Sequence, residues 1–103
     1  MSTYAIAATK PDATIELALD HDTIKGLFAD STTPSLCSEQ ADRYAQLSDA
    51  ATDHAQAMAL AAVGRAFNEQ RHALRGARDF GPGAPMVREH SLARDRALAE
   101  IGL

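Results

Sequence analysis

The chain has no tryptophan, one cysteine, two valines and five aromatic residues among its 103. Each scarcity excludes something. Two Val and five aromatics are too few for a protein built mainly from strands, because β-branched and aromatic side chains are the ones that pack well on a pleated surface. A β-sandwich is excluded. The single Cys37 rules out an internal disulfide framework and fits a reducing compartment. No apolar run approaches the ~18–20 residues that a membrane helix requires. Met1–Lys10 lacks the basic-then-apolar pattern of a signal peptide. A cytoplasmic protein with no membrane partner is therefore expected. Positive charge is also short: 10 Lys and Arg face 14 Asp and Glu, for a net −4, so no nucleic-acid partner is expected.

What is abundant is alanine. It accounts for 22 residues, leaving 25 larger apolar side chains, of which 10 are Leu. A chain of about 100 residues forms one domain and buries roughly two-thirds of its unfolded surface. A thin core of Leu and Ala suits helices at close approach. It also makes a homodimer attractive, since association adds buried area. Charge divides along the chain. Residues 1–60 carry nine acids against Lys10, Lys25 and Arg43, whereas residues 61–103 carry five acids against seven Arg. Two oppositely biased halves that pack together explain this most simply, with a basic C-terminal face for an anionic partner as the alternative.

Residues 1–11 read as an N-terminal extension, and 12–103 as a single helical domain. Thr9 with Pro11 and Asp12 resembles a helix start. Ala13, Leu17, Ile24, Leu27 and Phe28 share one helical face, with Ile15 and Leu19 nearly opposite, so the first helix is predicted over about 12–30. The competing reading is an N-terminal β-hairpin that pairs Tyr4, Ile6 and Ala8 with Ile15, Leu17 and Leu19. Residues 31–36, with Pro34, form a break. Some forty residues of helical composition follow, too long for one helix in a domain of this size. A bend at Gly64 is therefore predicted, giving helices over about 38–63 and 65–79. Phe80-Gly81-Pro82-Gly83-Ala84-Pro85 is the strongest breaker, and a last helix is predicted from Pro85 to about Ile101. The expected architecture is an all-α, up-down four-helix bundle with short loops.

On that plan His21, His54, His72 and His90 fall one to a helix. In a bundle, inward-facing side chains from different helices can converge on a buried metal. Imidazole suits iron, zinc, copper or nickel, and an iron pair also needs bridging carboxylates. The local contexts are suggestive. The run from Ile15 through Asp20-His21-Asp22 to Leu27-Phe28 resembles the opening helix of the hemerythrin-like, HHE cation-binding family. His54-Ala55-Gln56, Asn68-Glu69-Gln70-Arg71-His72 and Arg88-Glu89-His90 are similar to the histidine segments of its later helices. The resemblance implies a four-helix bundle that binds iron, as a pair of ions or as a single one, with these four His as ligands. It further implies binding or sensing of oxygen, nitric oxide or peroxide. The pattern is incomplete: the family's bridging Glu is replaced by Met58, and Arg94 stands four residues after His90 where an acid is usual. Asp95, one residue on, is the candidate substitute ligand, with Asp22 and Asp53 as displaced alternatives.

Met58 otherwise reads as a core side chain, and Cys37 as an inert thiol. Arg71, Arg75 and Arg78 read as a solvated stripe, and Leu92, Leu98 and Ile101 as the core side of the last helix. The reading from a different class is a metal-free helical interaction or regulatory module. It would use the arginine-rich face or the alanine-rich seams for a partner. Whether the chain is an enzyme is left open by the sequence.

Overall fold

Three oxygen-bearing side chains set where helices begin. In a computed structural model that describes residues 13–103, residues 13–18 are helical (α1) and four further helices follow: α2 (His21–Asp30), α3 (Pro34–Ala50), α4 (His54–Phe80) and α5 (Pro85–Ala99). Asp20 accepts from the Thr23 amide at 3.0 Å, Thr33 from that of Leu36 at 3.2 Å, and Asp53 from that of Gln56 at 2.9 Å. Each bond satisfies an amide that the first helical turn leaves unpaired. These hydrogen bonds from Thr23 also hold the Asp20 carboxyl below its ordinary value. α5 has no side-chain cap; it opens on Pro85, which has no amide to satisfy. At the C-terminus Leu103 N–H bonds to Leu98 C=O (3.0 Å) and Gly102 N–H to Ala99 C=O (3.1 Å). Gly102 lies at φ +88°, so these bonds form a Schellman closure in the left-handed conformation that glycine adopts freely.

The described residues are all-helical, and none is in a strand. The β-hairpin alternative therefore loses its second arm, because Ile15 and Leu17 lie in α1. Its first arm, the 1–11 extension and the Thr9 cap fall outside the described residues. Three boundaries differ from the sequence reading: α3 begins at Pro34, inside the break expected over 31–36 and before the predicted start at about 38. The predicted helix over 12–30 is interrupted at Leu19-Asp20, where Asp20 starts α2. The break expected at Gly64 lies instead at Ala51-Thr52-Asp53, where Asp53 starts α4. Gly64 is buried in the middle of α4, against Ala41 and Tyr44 of α3. It marks a close helix–helix approach and not a bend.

α4 is the spine. Its 27 residues span ~40 Å at 1.5 Å per residue. α3 runs antiparallel along its first two-thirds: Ser48 Oγ donates to Ala57 C=O at 2.8 Å near one end, and Ala41 and Tyr44 meet Gly64 further along. α5 turns back along the other end, with Gly76 against Met86 and Val87, and Arg65 paired to Glu100. α2 lies over the middle of α4. The Phe28 and Phe67 rings stack at 3.9 Å with planes 3° apart, and Tyr44 OH donates to Ala18 C=O at 2.7 Å. Ile15, Ala18, Ile24, Ala41, Tyr44, Leu60, Val63 and Phe67 form the core, with Leu98, Ile101 and Leu103 packed on it. Burying a side chain such as Phe67 contributes about 1.5–3 kcal/mol. Leu17, expected on the buried face of the first helix, is 61% exposed, because the break at Asp20 turns Ile15 and Ala18 inward instead.

One buried polar side chain ties three helices. Gln70 Nε2 donates to the carbonyls of Ser31 (3.0 Å) and Phe28 (3.3 Å), and Gln70 Oε1 accepts from Arg94 at 3.2 Å. It thereby supplies a second donor to carbonyls at the end of α2, where the helical ladder runs out. Among the described residues no helix is long and apolar enough to cross a membrane. The molecule is elongated, 55 × 23 × 21 Å, because α4 and α5 run on past the ends of α2 and α3.

Candidate functional site

The four histidines proposed as one ligand set sit in three places. His54 opens α4 and is exposed, just after the capping Asp53. His72 lies eighteen residues further along the same helix, a separation of ~27 Å at 1.5 Å per residue. Metal–nitrogen bonds are only ~2 Å long, so no single coordination sphere, nor a bridged pair of ions, spans that gap. The sequence reading placed these two residues on different helices because it bent the chain at Gly64. His21 opens α2, exposed, with Nε2 3.0 Å from the Ile101 carbonyl. Of the four, His72 and His90 adjoin, their ring centroids 5.0 Å apart. Asp95 is an exposed side chain paired with Arg94 at 3.0 Å. Met58 is 55% exposed and so does not belong to the core. Among the described residues no three His, Cys, Asp or Glu side chains are placed to hold a metal ion. The residues present do not fit the iron centre that the resemblance implies.

The His72–His90 contact joins α4 to α5. Glu69 Oε1 lies 3.2 Å from His90 Nδ1, a carboxylate accepting from a ring N–H across the α4–α5 seam. Burial pushes His72 below its ordinary 6.5, and Arg71, His90 and Arg75 act in the same direction against Glu69. The surroundings thus favour the neutral form of His72. An open groove of about 390 Å³ adjoins it, bordered by Arg65, Asn68, Arg96 and Glu100. Arg65 grips Glu100 there with two bonds of 3.0 and 3.2 Å. The Arg65–Glu100 and Glu69–His90 pairs fasten α5 to α4 on this face. Cys37 is fully buried, its Sγ 3.5 Å from the Ser31 carbonyl, and burial pushes its thiol up. A protonated, enclosed thiol is a poor nucleophile.

The other candidate is apolar. Beyond Thr32 the chain folds back into α3, so α2 stops while α4 and α5 continue as a two-helix hairpin. This leaves a groove of about 340 Å³ bordered by Phe28 and Thr32 at one end, Ala73, Leu74 and Ala77 on α4, and Val87 and Ser91 on α5. In a bundle, that position belongs to another helix. Phe80, 71% exposed, continues the Ala73–Ala77 stripe at helical spacing. Sequence reasoning singled out none of these as a site. The available signal was the i, i+4, i+7 run Ala73-Ala77-Phe80 beside Arg75 and Arg78, since an Ala stripe ending in an exposed aromatic offers a close-approach floor. Leu92, read as core, is also partly exposed, on the opposite side of α5. No protein-family model, curated protein or solved structure matches the chain.

Proposed function

We propose that the chain is a metal-free helical protein–protein interaction module that seats a helix of another protein in the groove of the α4–α5 hairpin. In this reading α2 to α5 are an up-down four-helix bundle with one arm cut short. α2 has 10 residues against 27 in α4, so part of the hairpin lacks the helix that would cover it. That uncovered, mostly apolar groove is the observation that carries the reading. Contiguous apolar surface left open on a folded domain marks an interaction site more often than a random exposed Leu does. Ala73 and Ala77 form a floor on which a helix backbone can approach closely, and Leu74, Val87 and Phe80 supply the larger contacts. A groove this size accommodates a few side chains, which suits a weak, reversible association. The oxygen-, nitric oxide- or peroxide-binding role implied by the hemerythrin-like resemblance would require His54 and His72 in one centre, and a continuous α4 holds them apart.

The test is a photo-crosslink. Benzoylphenylalanine introduced in place of Thr32, exposed on the groove's rim, should yield a discrete adduct in the cells that make the protein. The same probe in place of Asp49, exposed on α3, should not. The Thr32 adduct should vanish in a Val87→Glu background that retains its helical circular dichroism. No adduct from Thr32, or equal adducts from both positions, contradicts the proposal.

A further inference from the structure

The charges around the groove indicate the chemistry of its occupant, an inference that rests on the docking reading above. From Arg71 to Arg96 the chain carries six Arg against Asp79, Glu89 and Asp95. The remaining residues carry four basic side chains against eleven acids. A net-acidic protein thus presents one basic end, and the groove lies in it. Arg78 stands one turn beyond Leu74, on the α4 rim, and Arg88 stands three residues before Ser91, on the α5 rim. Arg94 borders the groove itself. The acids within reach are already engaged: Asp79 with Arg78 at 3.1 Å, and Asp95 with Arg94 at 3.0 Å. The Arg78–Asp79 pair is exposed and therefore weak, so a carboxylate brought by a partner competes for that guanidinium, while half-buried Arg94 keeps its bond to Gln70 and offers its remaining donors.

We infer that the groove takes an acidic amphipathic helix of a partner protein, its apolar face over Ala73, Ala77 and Val87 and its Glu or Asp side chains at Arg78, Arg88 and Arg94. The apolar floor supplies affinity. The basic rim selects acidic partners and speeds their approach. A second copy of this chain is the less suitable occupant. A two-fold pairing of hairpins sets the same surface against itself, which brings the Arg-rich rims of both copies together.

Three synthetic peptides of about 18 residues test this, each long enough to span the groove as a helix. They share one apolar Leu face and carry Glu, Gln or Lys on the other, and binding to the full chain is read by fluorescence anisotropy. The Glu peptide should bind at least about tenfold tighter than the Gln peptide at low salt, and most of that advantage should disappear as salt shortens the Debye length. The double variant Arg78→Glu/Arg88→Glu should shift the preference to the Lys peptide, and Val87→Glu should weaken the Glu peptide with the fold intact by circular dichroism. Equal binding of all three peptides, lost in Val87→Glu, overturns the charge selection and leaves the docking reading standing. If no peptide binds at millimolar concentration, both fall. Binding of the Glu peptide that Val87→Glu does not change assigns it to another surface and overturns the proposal. So does concentration-dependent self-association in sedimentation equilibrium that Val87→Glu abolishes.

Discussion

Replacing Gly64 by alanine should stabilise the protein. Glycine in a helix interior costs roughly 1 kcal/mol relative to alanine, mainly through backbone entropy. That gain is realised only where a methyl group fits. An ideal Cβ at position 64 meets Ala41 O and Tyr44 Cβ at 3.6 Å each, and Ala45 N at 4.0 Å, all ordinary van der Waals separations. Nothing needs to move, and the methyl fills space between α3 and α4. The expected change is about 1 kcal/mol of added stability, which for a domain of this size raises Tm by about 4–8 °C. Urea unfolding followed by far-ultraviolet circular dichroism should show a higher midpoint with an unchanged slope. Gly76 is the internal control. A Cβ there lies 3.0 and 3.1 Å from the Met86 Cε and Sδ and 3.3 Å from Val87 Cγ2, so side chains of α5 must shift. Gly76→Ala should therefore gain much less than Gly64→Ala, or lose stability. A Gly64→Ala variant destabilised by about 1 kcal/mol or more would refute the continuous, closely packed α4, because alanine cannot replace a glycine needed for a bend at that cost-free rate.

Two further perturbations probe the polar groups. Gln70→Leu removes one donor from each of the Phe28 and Ser31 carbonyls and one acceptor from Arg94. It should destabilise by about 1–3 kcal/mol in urea unfolding, and an unchanged midpoint would show the junction to be dispensable. His72 has its native value pushed below 6.5 by burial. Its contribution to stability is complete above 6.5 and declines as pH falls through the window beneath it, because there the unfolded chain binds a proton that the folded chain disfavours. His72→Gln should flatten the acid-side fall of the urea midpoint in that window, and an unaltered pH profile would contradict the assignment.

The convergence of the four histidines on one centre depends on a single boundary. Pro34 and the Phe80–Pro85 run announced two breaks, and both are where the structure has them, since proline and glycine act locally. Ala51-Thr52-Asp53 contains neither. Its signal was an N-cap side chain, which also occurs in helix interiors and is decisive only when the following amide is free. Gly64 outweighed it in the sequence, because a glycine in a helix reads the same whether it permits a bend or a close approach. Moving that boundary puts His54 and His72 on one helix, and the proposed ligand set separates. Ile24, Leu27, Phe28, Leu98 and Ile101 were legible as core from their spacing. Gln70 was not, because a helical Gln reads as surface until the carbonyls at the end of α2 are seen beside it. The groove was hidden for a related reason. Ala73, Ala77 and Val87 are ordinary buried-face residues unless α2 stops short of them, and α2 stops where Ser31 and Thr32 turn the chain.

In the proposed mode of action the protein works through the hairpin groove and not through a shared histidine centre. The most direct measurement sets the two against each other in one assay, the photo-adduct formed from position 32. A variant with His21, His54, His72 and His90 all replaced by Gln, checked for retained helicity, should still form the adduct. Ala77→Arg, which fills the groove floor and adds a charge, should lose it. Loss of the adduct in the four-histidine variant together with its survival in Ala77→Arg would contradict the account.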